Sequence, residues 1–527
     1  MSAAVDAVVI GAGHNGLVAA AALADAGWDV LVLEGQDTVG GAVRSAEVFD
    51  GYTTDLYSAF YPLSAASPAI ADLDLGAHGL TWTHAPIVLA HPLGPDDETG
   101  AVLHREAGDT AAALGDQDGQ AWLDLVEQYQ RIKTPLLRTL FDPFPPLRGP
   151  RELLGVLGAA GALRFARFAA LPARRMAEEL FVSERARVLL EGSAMHGDAP
   201  VDAPVSGAFG YLLAMLAQDV GFPAPVGGAG ELTRAMRRRA EHAGAQVRTS
   251  TPVAGIEVRG GRAVAVRTAG GERIAVRRAV VADVSALSLY QQLLPRDAVP
   301  ARVHADLAHF EWDTPVVKVN YALDAPIPWT AQHARGAGTV HLGAGSDGLV
   351  RWMADLQTRT VPRSPFLLFG QMTTADATRS PAGTESAWSY SHLPRGVTDD
   401  ASADELAERM DAVLEAHAPG TMDHVIGRQV QRPGDLEGSD PNLGSGAVNG
   451  GTAQLQQQLV FRPVPGLGRS ETPVRGLFLG SAAVHPGGGV HGAPGLNAAR
   501  AALAESGRLG WPRRRATSAL LQLLTRD

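Results

Sequence analysis

Cysteine is absent from the 527 residues of this chain. Its absence excludes structural disulfides, thiolate metal sites and a redox-active dithiol. Any redox chemistry must therefore use a bound cofactor. Lysine is scarce as well, because only Lys133 and Lys318 stand against many arginines.

Long apolar runs and an excess of positive charge are also missing. A net charge of −11 and a pI near 5.8 argue against nucleic-acid binding. No uninterrupted apolar run reaches bilayer-spanning length, and the chain enters its first strand without a basic leader. These features predict a cytoplasmic location and leave peripheral membrane contact open. The 16 histidines show no metal-ligand spacing, so no metal site is predicted.

A glycine-rich loop near the amino terminus is the most informative feature that is present. An apolar strand at 7–10 leads into the loop 11–16, which reads GAGHNG. An alanine-rich helix follows to Gly27, and a second strand at 28–33 ends in Glu34. This order of strand, loop, helix, strand and acid is typical of a dinucleotide-binding unit.

Each glycine of this loop has a physical task. Gly11 allows the tight turn, Gly13 lets a pyrophosphate approach the backbone, and Gly16 lets helix and strand pack closely. The start of the helix offers unpaired N–H groups and positive dipole character to phosphates. Glu34 is placed to accept hydrogen bonds from ribose hydroxyls. The loop therefore predicts dinucleotide binding.

Two further glycine-rich segments favour flavin over nicotinamide. Gly40 and Gly41 follow the ribose acid at once and precede Arg44. Near the carboxyl terminus, a short apolar strand ends at Gly480 and leads through the glycine-dense loop 485–495 into a helix. Such a loop brings backbone donors close to a flat, partly anionic ring, such as the pyrimidine end of a flavin.

Over nearly the whole chain, these motifs resemble the phytoene-desaturase family of FAD-dependent oxidoreductases. Within that family the chain looks most like the branch of flavin-type β-carotene ketolases and the pyridine nucleotide-disulfide oxidoreductase domain-containing protein 2 group. The resemblance implies FAD, with the adenine touching the backbone at Val253. The chain departs from many relatives of the wider superfamily at Ser481, where an acid would bind the ribityl chain. The predicted cofactor-binding residues are Gly11, Gly13, Asn15, Gly16, Glu34, Gly40, Gly41, Arg44, Val253, Gly480, Ser481, Gly488, Gly489, Val490 and Asn497.

The resemblance also implies an α/β, two-dinucleotide-binding-domain flavoprotein with an inserted α+β substrate domain. The FAD domain is expected to be Rossmann-like, with a three-stranded meander. It is assigned to 1–75, 225–295 and 460–527, and the substrate domain to 76–224 and 296–459. Within the substrate domain we expect helices at 119–140, 174–192 and 403–417, strands at 314–323 and 366–373, and an irregular loop at 431–457.

Segment 145–176 is basic within an acidic protein. It holds six arginines against one acid, Glu152, with apolar residues between them. One interpretation is an interfacial helix whose arginines extend to lipid headgroups. The other is a pair of helices that cover the substrate cavity with solvated arginines. The lipophilic substrates of the family favour membrane contact.

Candidate catalytic residues are few, because FAD would carry out the difficult step while the protein orients a C–H bond and excludes water. His485 and His491 flank the loop expected at the flavin, where either could relay a proton or cap the loop. Lys318 lies in an apolar strand. Flavin amine oxidases, related in fold, use a lysine to hold a water near the flavin. The alternative is a solvent-facing lysine on an alternating strand.

The main hypothesis is a FAD-dependent oxidoreductase that moves hydride from an apolar substrate to the flavin. The resemblance implies a carotenoid or isoprenoid substrate that gains a double bond or a ketone. A quinone or oxygen would then reoxidise the flavin. Two alternatives stay open. One is a flavin oxidase of a small amine or other metabolite, and the other is a flavin-bound regulatory or interaction protein.

Overall fold

Two seven-stranded sheets organise the protein, and their strands come from several separate parts of the chain. The structure is a computed structural model that describes residues 4–343, 345–507 and 510–524. The strands are β1 (Val5–Ile10), β2 (Val30–Leu33), β3 (Ser45–Phe49), β4 (Tyr52–Asp55), β5 (Trp82–Thr83), β6 (Ile87–His91), β7 (Ala101–Leu103), β8 (Ala224–Pro225), β9 (Gln246–Arg248), β10 (Val253–Arg259), β11 (Arg262–Thr268), β12 (Arg273–Ala282), β13 (Val316–Leu323), β14 (Ala337–Leu342), β15 (Leu367–Gln371), β16 (Glu385–His392), β17 (Val425–Gln431) and β18 (Leu477–Leu479).

Helices cover both sheets. They are α1 (His14–Asp25), α2 (Pro62–Ala66), α3 (Pro68–Ala71), α4 (Ala107–Leu114), α5 (Asp116–Phe141), α6 (Arg148–Ala170), α7 (Ala173–Leu180), α8 (Glu184–Ala194), α9 (Ser206–Asp219), α10 (Ala229–His242), α11 (Ala301–Leu307), α12 (Ser346–Gln357), α13 (Met372–Ala375), α14 (Asp400–His417), α15 (Pro433–Ser439), α16 (Ala493–Ser506) and α17 (Gly510–Leu524).

The first sheet has a parallel core in the order β18-β12-β1-β2-β9, and β10 and β11 extend β12 as an antiparallel meander. Successive residues of β1 enter opposite cores, because side chains alternate along a strand. Ala7 and Val9 pack against the face of α1, α10 and α16, whereas Val8 and Ile10 pack against the other face. Burial on both faces explains the continuous apolar run of this strand.

The second sheet has the order β17-β13-β16-β15-β14-β6-β7 and is antiparallel apart from the β14–β6 pair. Strands β6 and β7, at one end of this sheet, come from the first insertion, 76–224, which the sequence predicts as mostly helical. The long helix α5 and helices α7, α8 and α9 bury one large apolar cluster against this sheet. A second cluster with α14 fills the opposite face.

Three sequence predictions in this region are wrong in detail. The helix predicted at 174–192 is divided into α7 and α8, because Ser183 caps α8 and Asp118 accepts hydrogen bonds from the N–H groups of Val182 and Ser183, both at 2.8 Å. The strand predicted at 366–373 ends at Gln371, where α13 begins. The segment predicted to be an irregular loop contains α15, which starts at a proline in the first helical turn.

No residue in the apolar stretch of helix α6 is fully buried, although Phe165 and Phe168 pack partly against the core. By length and composition alone the helix could cross a membrane, although Arg164 and Arg167 interrupt its apolar residues, so the prediction that no uninterrupted apolar run reaches spanning length stands. Gly158, with φ 66° and ψ 170°, leaves helical geometry and divides α6 into two segments. Glycine accepts this conformation without a Cβ penalty.

Candidate functional site

A cavity of about 440 Å³ lies between the two sheets, beside the carboxyl ends of β1 and β12. Gly13 and Asp283 border it on the side of the first sheet, and Lys318 and Trp388 border it on the side of the second. Crevices outside the carboxyl ends of parallel strands are where open α/β sheets bind ligands.

The loop after β1 has no room for side chains. A Cβ on Gly16 would lie 2.2 Å from the carbonyl oxygen of Gly11, and a Cβ on Gly13 would lie 2.8 Å from Oδ2 of Asp283. Gly11 has a φ of 94°, which favours glycine. Side chains are therefore excluded at the start of α1, so a ligand can approach the backbone there.

Glu34 lies at the end of β2 and reaches over this loop. Its carboxylate accepts hydrogen bonds from the N–H groups of Ala12, at 2.7 Å, and Gln36, at 2.9 Å. The carbonyl oxygen of Glu34 also accepts from the N–H of Thr251 at 2.7 Å. That bond holds the start of β10, and with it Val253, beside the predicted ribose acid.

The Gly40–Gly41 pair crosses the same loop. The N–H of Gly40 donates to the carbonyl of Ala12 at 2.9 Å. Arg44 donates to the carbonyl of Gly41 at 2.9 Å and to the Tyr57 hydroxyl at 2.7 Å, and its guanidinium also reaches the carbonyl of Ser439. Arg44 therefore connects this turn to the last residue of α15.

The carboxyl-terminal segment meets the amino-terminal loop directly. A Cβ on Gly495 would lie 1.9 Å from the carbonyl oxygen of Asn15, so α16 and α1 touch through backbone atoms. Gly480 donates its N–H to Ala282 at 2.9 Å, and the Ser481 hydroxyl donates to the carbonyl of Val284 at 2.6 Å. Of the predicted cofactor residues, those that line the cavity are Gly13, Asn15, Gly41, Ser481, Gly488, Gly489 and Val490.

The two predicted asparagines lie in different places. Asn15 borders the cavity, and its buried Oδ1 has no hydrogen-bond partner among the described residues. Asn497 does not border the cavity, and its Nδ2 donates to the carbonyl of Phe141 at 3.0 Å. Only Asn15 therefore presents a free buried acceptor at the site.

Sequence reasoning missed Asp283. Its Oδ2 accepts the N–H of Gly16 at 2.8 Å, directly behind the glycine loop. Burial, with the neighbouring charges of Asp440 and Glu34, raises the pKa of Asp283 to about 8. The available signal was its position immediately after β12, the parallel neighbour of β1.

Lys318 is buried, so the alternative of a solvent-facing lysine is wrong. The residue is 3% exposed because β13 is an interior strand between β17 and β16. Its Nζ donates to the carbonyl of Asp55 at 2.6 Å and to Oδ1 of Asn320, and it lies 5.9 Å from the Trp388 ring centroid. Burial lowers the pKa of Lys318 to about 7.

The two predicted histidines differ in position. His491 borders the cavity, and its Nδ1 accepts the N–H of Ala493 at 3.2 Å, at the start of α16. Burial lowers the pKa of His491 to about 3. His485 borders a separate small cleft with Phe144, and burial lowers its pKa to about 4. Both imidazoles are therefore neutral at pH 7.

Within the described residues, no group of three or more histidine, aspartate or glutamate side chains is arranged to hold a metal ion. The described part of the chain thus offers no metal centre.

Comparison with known proteins agrees with this geometry. A family model described as flavin containing amine oxidoreductase matches residues 16–503. Pyridine nucleotide-disulfide oxidoreductase domain-containing protein 2 from Rattus norvegicus is 28% identical, covering 94% of this chain and 92% of its own length.

Two carotenoid-related enzymes are more distant relatives. The 4,4'-diapolycopene oxygenase of a Methylomonas species is 24% identical over 92% of this chain and 94% of its own length. Hydroxyneurosporene desaturase from Cereibacter sphaeroides is 31% identical over 56% of this chain and 60% of its own length.

A solved structure, putrescine oxidase bound to putrescine, is similar in fold. Its TM-score is 0.61, with 17% identity, 95% of this chain and 99% of that chain covered. This similarity confirms the predicted α/β fold with a Rossmann-like dinucleotide domain.

Proposed function

Because the chain belongs to the flavin-containing amine oxidoreductase family, whose cofactor is FAD, we propose that it oxidises an apolar substrate beside that cofactor. The predicted relationship to phytoene-desaturase-type flavoproteins is confirmed by the relatives found. Bound FAD supplies the acceptor for the two electrons lost when a C–H bond is oxidised.

The residues present fit FAD. Side chains are excluded around Gly13 and Gly16, where N–H groups at the start of α1 would hold the diphosphate. Glu34 would bind ribose hydroxyls, and the loop 487–490 would meet the flavin ring. The buried Oδ1 of Asn15 has no partner among the described residues and could accept a hydrogen bond from a bound ligand.

The observation that carries the proposal is the chemistry of the wall away from the glycine loop. That wall is formed mainly by apolar side chains, namely Leu140, Phe209, Leu212, Leu213, Leu216, Phe222 and Trp388. The acidic residues of the cavity lining, Asp283 and Asp440, both lie on the glycine-loop side. Transfer of an apolar molecule from water to the apolar side of the cavity lowers the free energy. An ammonium ion would meet no carboxylate there.

Lys318 is the group best placed to act on protons in this cavity. With a pKa of about 7, its Nζ can exist in both protonation states near neutral pH. Asp55 and Asn320 fix its direction through hydrogen bonds. Apolar side chains around the reacting bond would exclude bulk water. This favours proton transfer by Lys318 over transfer by solvent.

The relatives and the size of the cavity support one substrate class. The named activities of the carotenoid-related proteins support an isoprenoid or carotenoid, which would gain a double bond or a ketone. A cavity of about 440 Å³ that also receives part of the cofactor suits one end of a long molecule. Phe209, which is 40% exposed and borders the cavity, marks where the rest would leave. Oxygen or a quinone would serve as electron acceptor.

We also infer that α6 rests on an anionic membrane surface. Leu147 and Leu163 are each 74% exposed on or beside this helix, which packs against α9, the helix of Phe209. Arg167, Arg174 and Arg175 of the basic segment pair with acids of α7, so the positive surface is smaller than the sequence indicates. The remaining basic residues of the segment are Arg148, Arg151 and Arg164.

The membrane proposal is tested by flotation with phosphatidylglycerol vesicles. Leu154→Glu combined with Leu163→Glu should abolish flotation, because both side chains are exposed on α6. Ile426→Glu, at an exposed apolar position of β17, is the matched control and should float normally. Equal flotation of both variants contradicts membrane contact through α6.

The substrate proposal is tested by expressing the chain in cells that make lycopene or β-carotene. A new pigment that disappears with Gly16→Ala, a change expected to prevent FAD binding, supports the proposal. Unchanged pigments together with oxidation of putrescine or cyclohexylamine by the detergent-free protein favour an amine oxidase. Failure of every substrate to reduce the bound flavin favours a regulatory flavoprotein.

A further inference from the structure

A histidine lies among the apolar side chains of the cavity wall. His196 follows α8 and borders the cavity beside Phe222, whose ring centroid is 6.5 Å away. Thr339 of β14 borders the same cavity, and His341 lies two residues further along that strand. Residues 339 and 341 share one face of the strand, because side chains alternate.

His196 is held from behind by His341. Their Nε2 atoms are 3.0 Å apart, so one imidazole donates to the other. Nδ1 of His341 is buried and has no hydrogen-bond partner among the described residues. His196 uses Nε2 for its bond to His341. Its other ring nitrogen, Nδ1, has no hydrogen-bond partner among the described residues. Burial lowers the pKa of both imidazoles, to about 3 for His196, so both are neutral.

The proton positions follow from the cost of unpaired groups. A neutral imidazole carries one N–H and one acceptor nitrogen. Either arrangement leaves one N–H unpaired, and this costs more in the closed interior around His341 than at the cavity that His196 borders, so the buried Nδ1 of His341 should be the acceptor. His341 then donates from Nε2 to Nε2 of His196. The single proton of His196 must therefore reside on Nδ1.

We propose that Nδ1–H of His196 recognises an oxygen atom of the substrate, so that the preferred ligand is an apolar molecule carrying a hydroxyl or carbonyl group. This inference rests on the proposed oxidation of an apolar substrate. The Thr339 hydroxyl borders the same space and adds a second polar group. His341 is a positioning residue, because it acts through the tautomer of His196.

The test compares geraniol with myrcene, two ten-carbon isoprenoids of which only geraniol carries a hydroxyl. Binding is followed by the change in flavin absorbance of the FAD-loaded protein. Geraniol should bind about tenfold more tightly than myrcene, the effect of one hydrogen bond to a neutral donor. His196→Phe should remove this preference while leaving myrcene affinity within about twofold. His196→Asn, which offers an amide N–H near the position of Nδ1, should restore part of it.

Equal affinity of the unaltered protein for the two probes overturns the inference, as does binding of neither. Equal weakening of both probes by His196→Phe also overturns it, because it indicates a purely structural histidine. The proposed function is judged separately by the pigment experiment. A pigment change without a preference for geraniol would leave apolar oxidation standing and reject oxygen recognition by His196.

Discussion

The two sides of the cavity differ in the atoms that form their surfaces, which are mainly backbone on one side and mainly side chain on the other. On the glycine-loop side, backbone groups and glycines form the surface, and side chains are kept out by contacts as short as the 2.2 Å that a Cβ on Gly16 would make. On the other side, side chains of α5, α9 and the second sheet form the surface. Backbone recognises a fixed cofactor by geometry, whereas side chains can be exchanged to suit a substrate.

Asp55 joins the two sides, and its removal should have the largest effect on stability. Its carboxylate accepts the N–H of Ala229 at 2.7 Å and the Arg379 guanidinium at 3.0 Å, with both side chains fully buried. Asp55→Ala leaves Arg379 buried with one partner less, and should cost about 3–5 kcal/mol in the free energy of urea unfolding. Glu241→Ala, which breaks an exposed pair with Arg237, should cost about 0–1 kcal/mol. An equal decrease in the free energy of unfolding in the two variants would contradict a stabilising role for the buried Asp55–Arg379 pair.

Gly16→Ala should affect only the glycine-loop side of the cavity, and therefore FAD binding. The added methyl group would meet the Gly11 carbonyl, so the loop must move, and FAD affinity should fall by about 100-fold or more. Gly108→Ala in the first turn of α4 meets no atom within 4 Å and is the matched control. Both affinities are measured by flavin fluorescence during titration of apoprotein. Unchanged FAD affinity of Gly16→Ala would contradict FAD binding by the backbone of the glycine loop.

Lys318→Met should leave FAD binding intact and reduce turnover by about 100-fold, since it removes a group placed for proton transfer. The other lysine, Lys133, pairs with Asp219 at a partly exposed position, so Lys133→Met should retain full turnover. Stopped-flow reduction of the flavin by the substrate measures the difference. Loss of bound FAD from Lys318→Met would instead assign the lysine to the cofactor side.

The smallest predicted effect concerns the pH dependence of FAD affinity. A bound diphosphate adds negative charge beside Asp283, so its pKa should rise above the value of about 8 in the free protein. Affinity should therefore be full below pH 8 and fall above it, by at most about tenfold per pH unit. Asp283→Asn keeps an oxygen that accepts from Gly16 and should remove this fall. Parallel pH profiles of the two proteins would exclude Asp283 as the titrating group.

The strands and turns of the cofactor side could be placed from the sequence because their determinants are local. Gly11, Gly13 and Gly16 have fixed spacing, and Glu34 follows at the end of the next strand. The approach of Gly495 to Asn15 was also expected, since the resemblance placed both ends of the chain at one cofactor. Asp283 was missed because its neighbour in space, Gly16, is remote in the chain.

The substrate side shows what a sequence leaves undetermined. The alternating pattern of its strand favours a solvent-facing Lys318, and only the packing of that sheet face against the segment of Asp55 buries it. His196 and His341 carry no spacing signal, and only the packing of α8 against the second sheet brings their nitrogens together.

By itself, the sequence determined the dinucleotide loop, its ribose acid and the absence of thiol chemistry, because turns, strands and composition depend on neighbouring residues. Tertiary structure decided which polar groups face the cavity and how burial changes their pKa values. Desolvation and long-range hydrogen bonds act between residues that are distant in the chain, and they arise only when both sheets have formed.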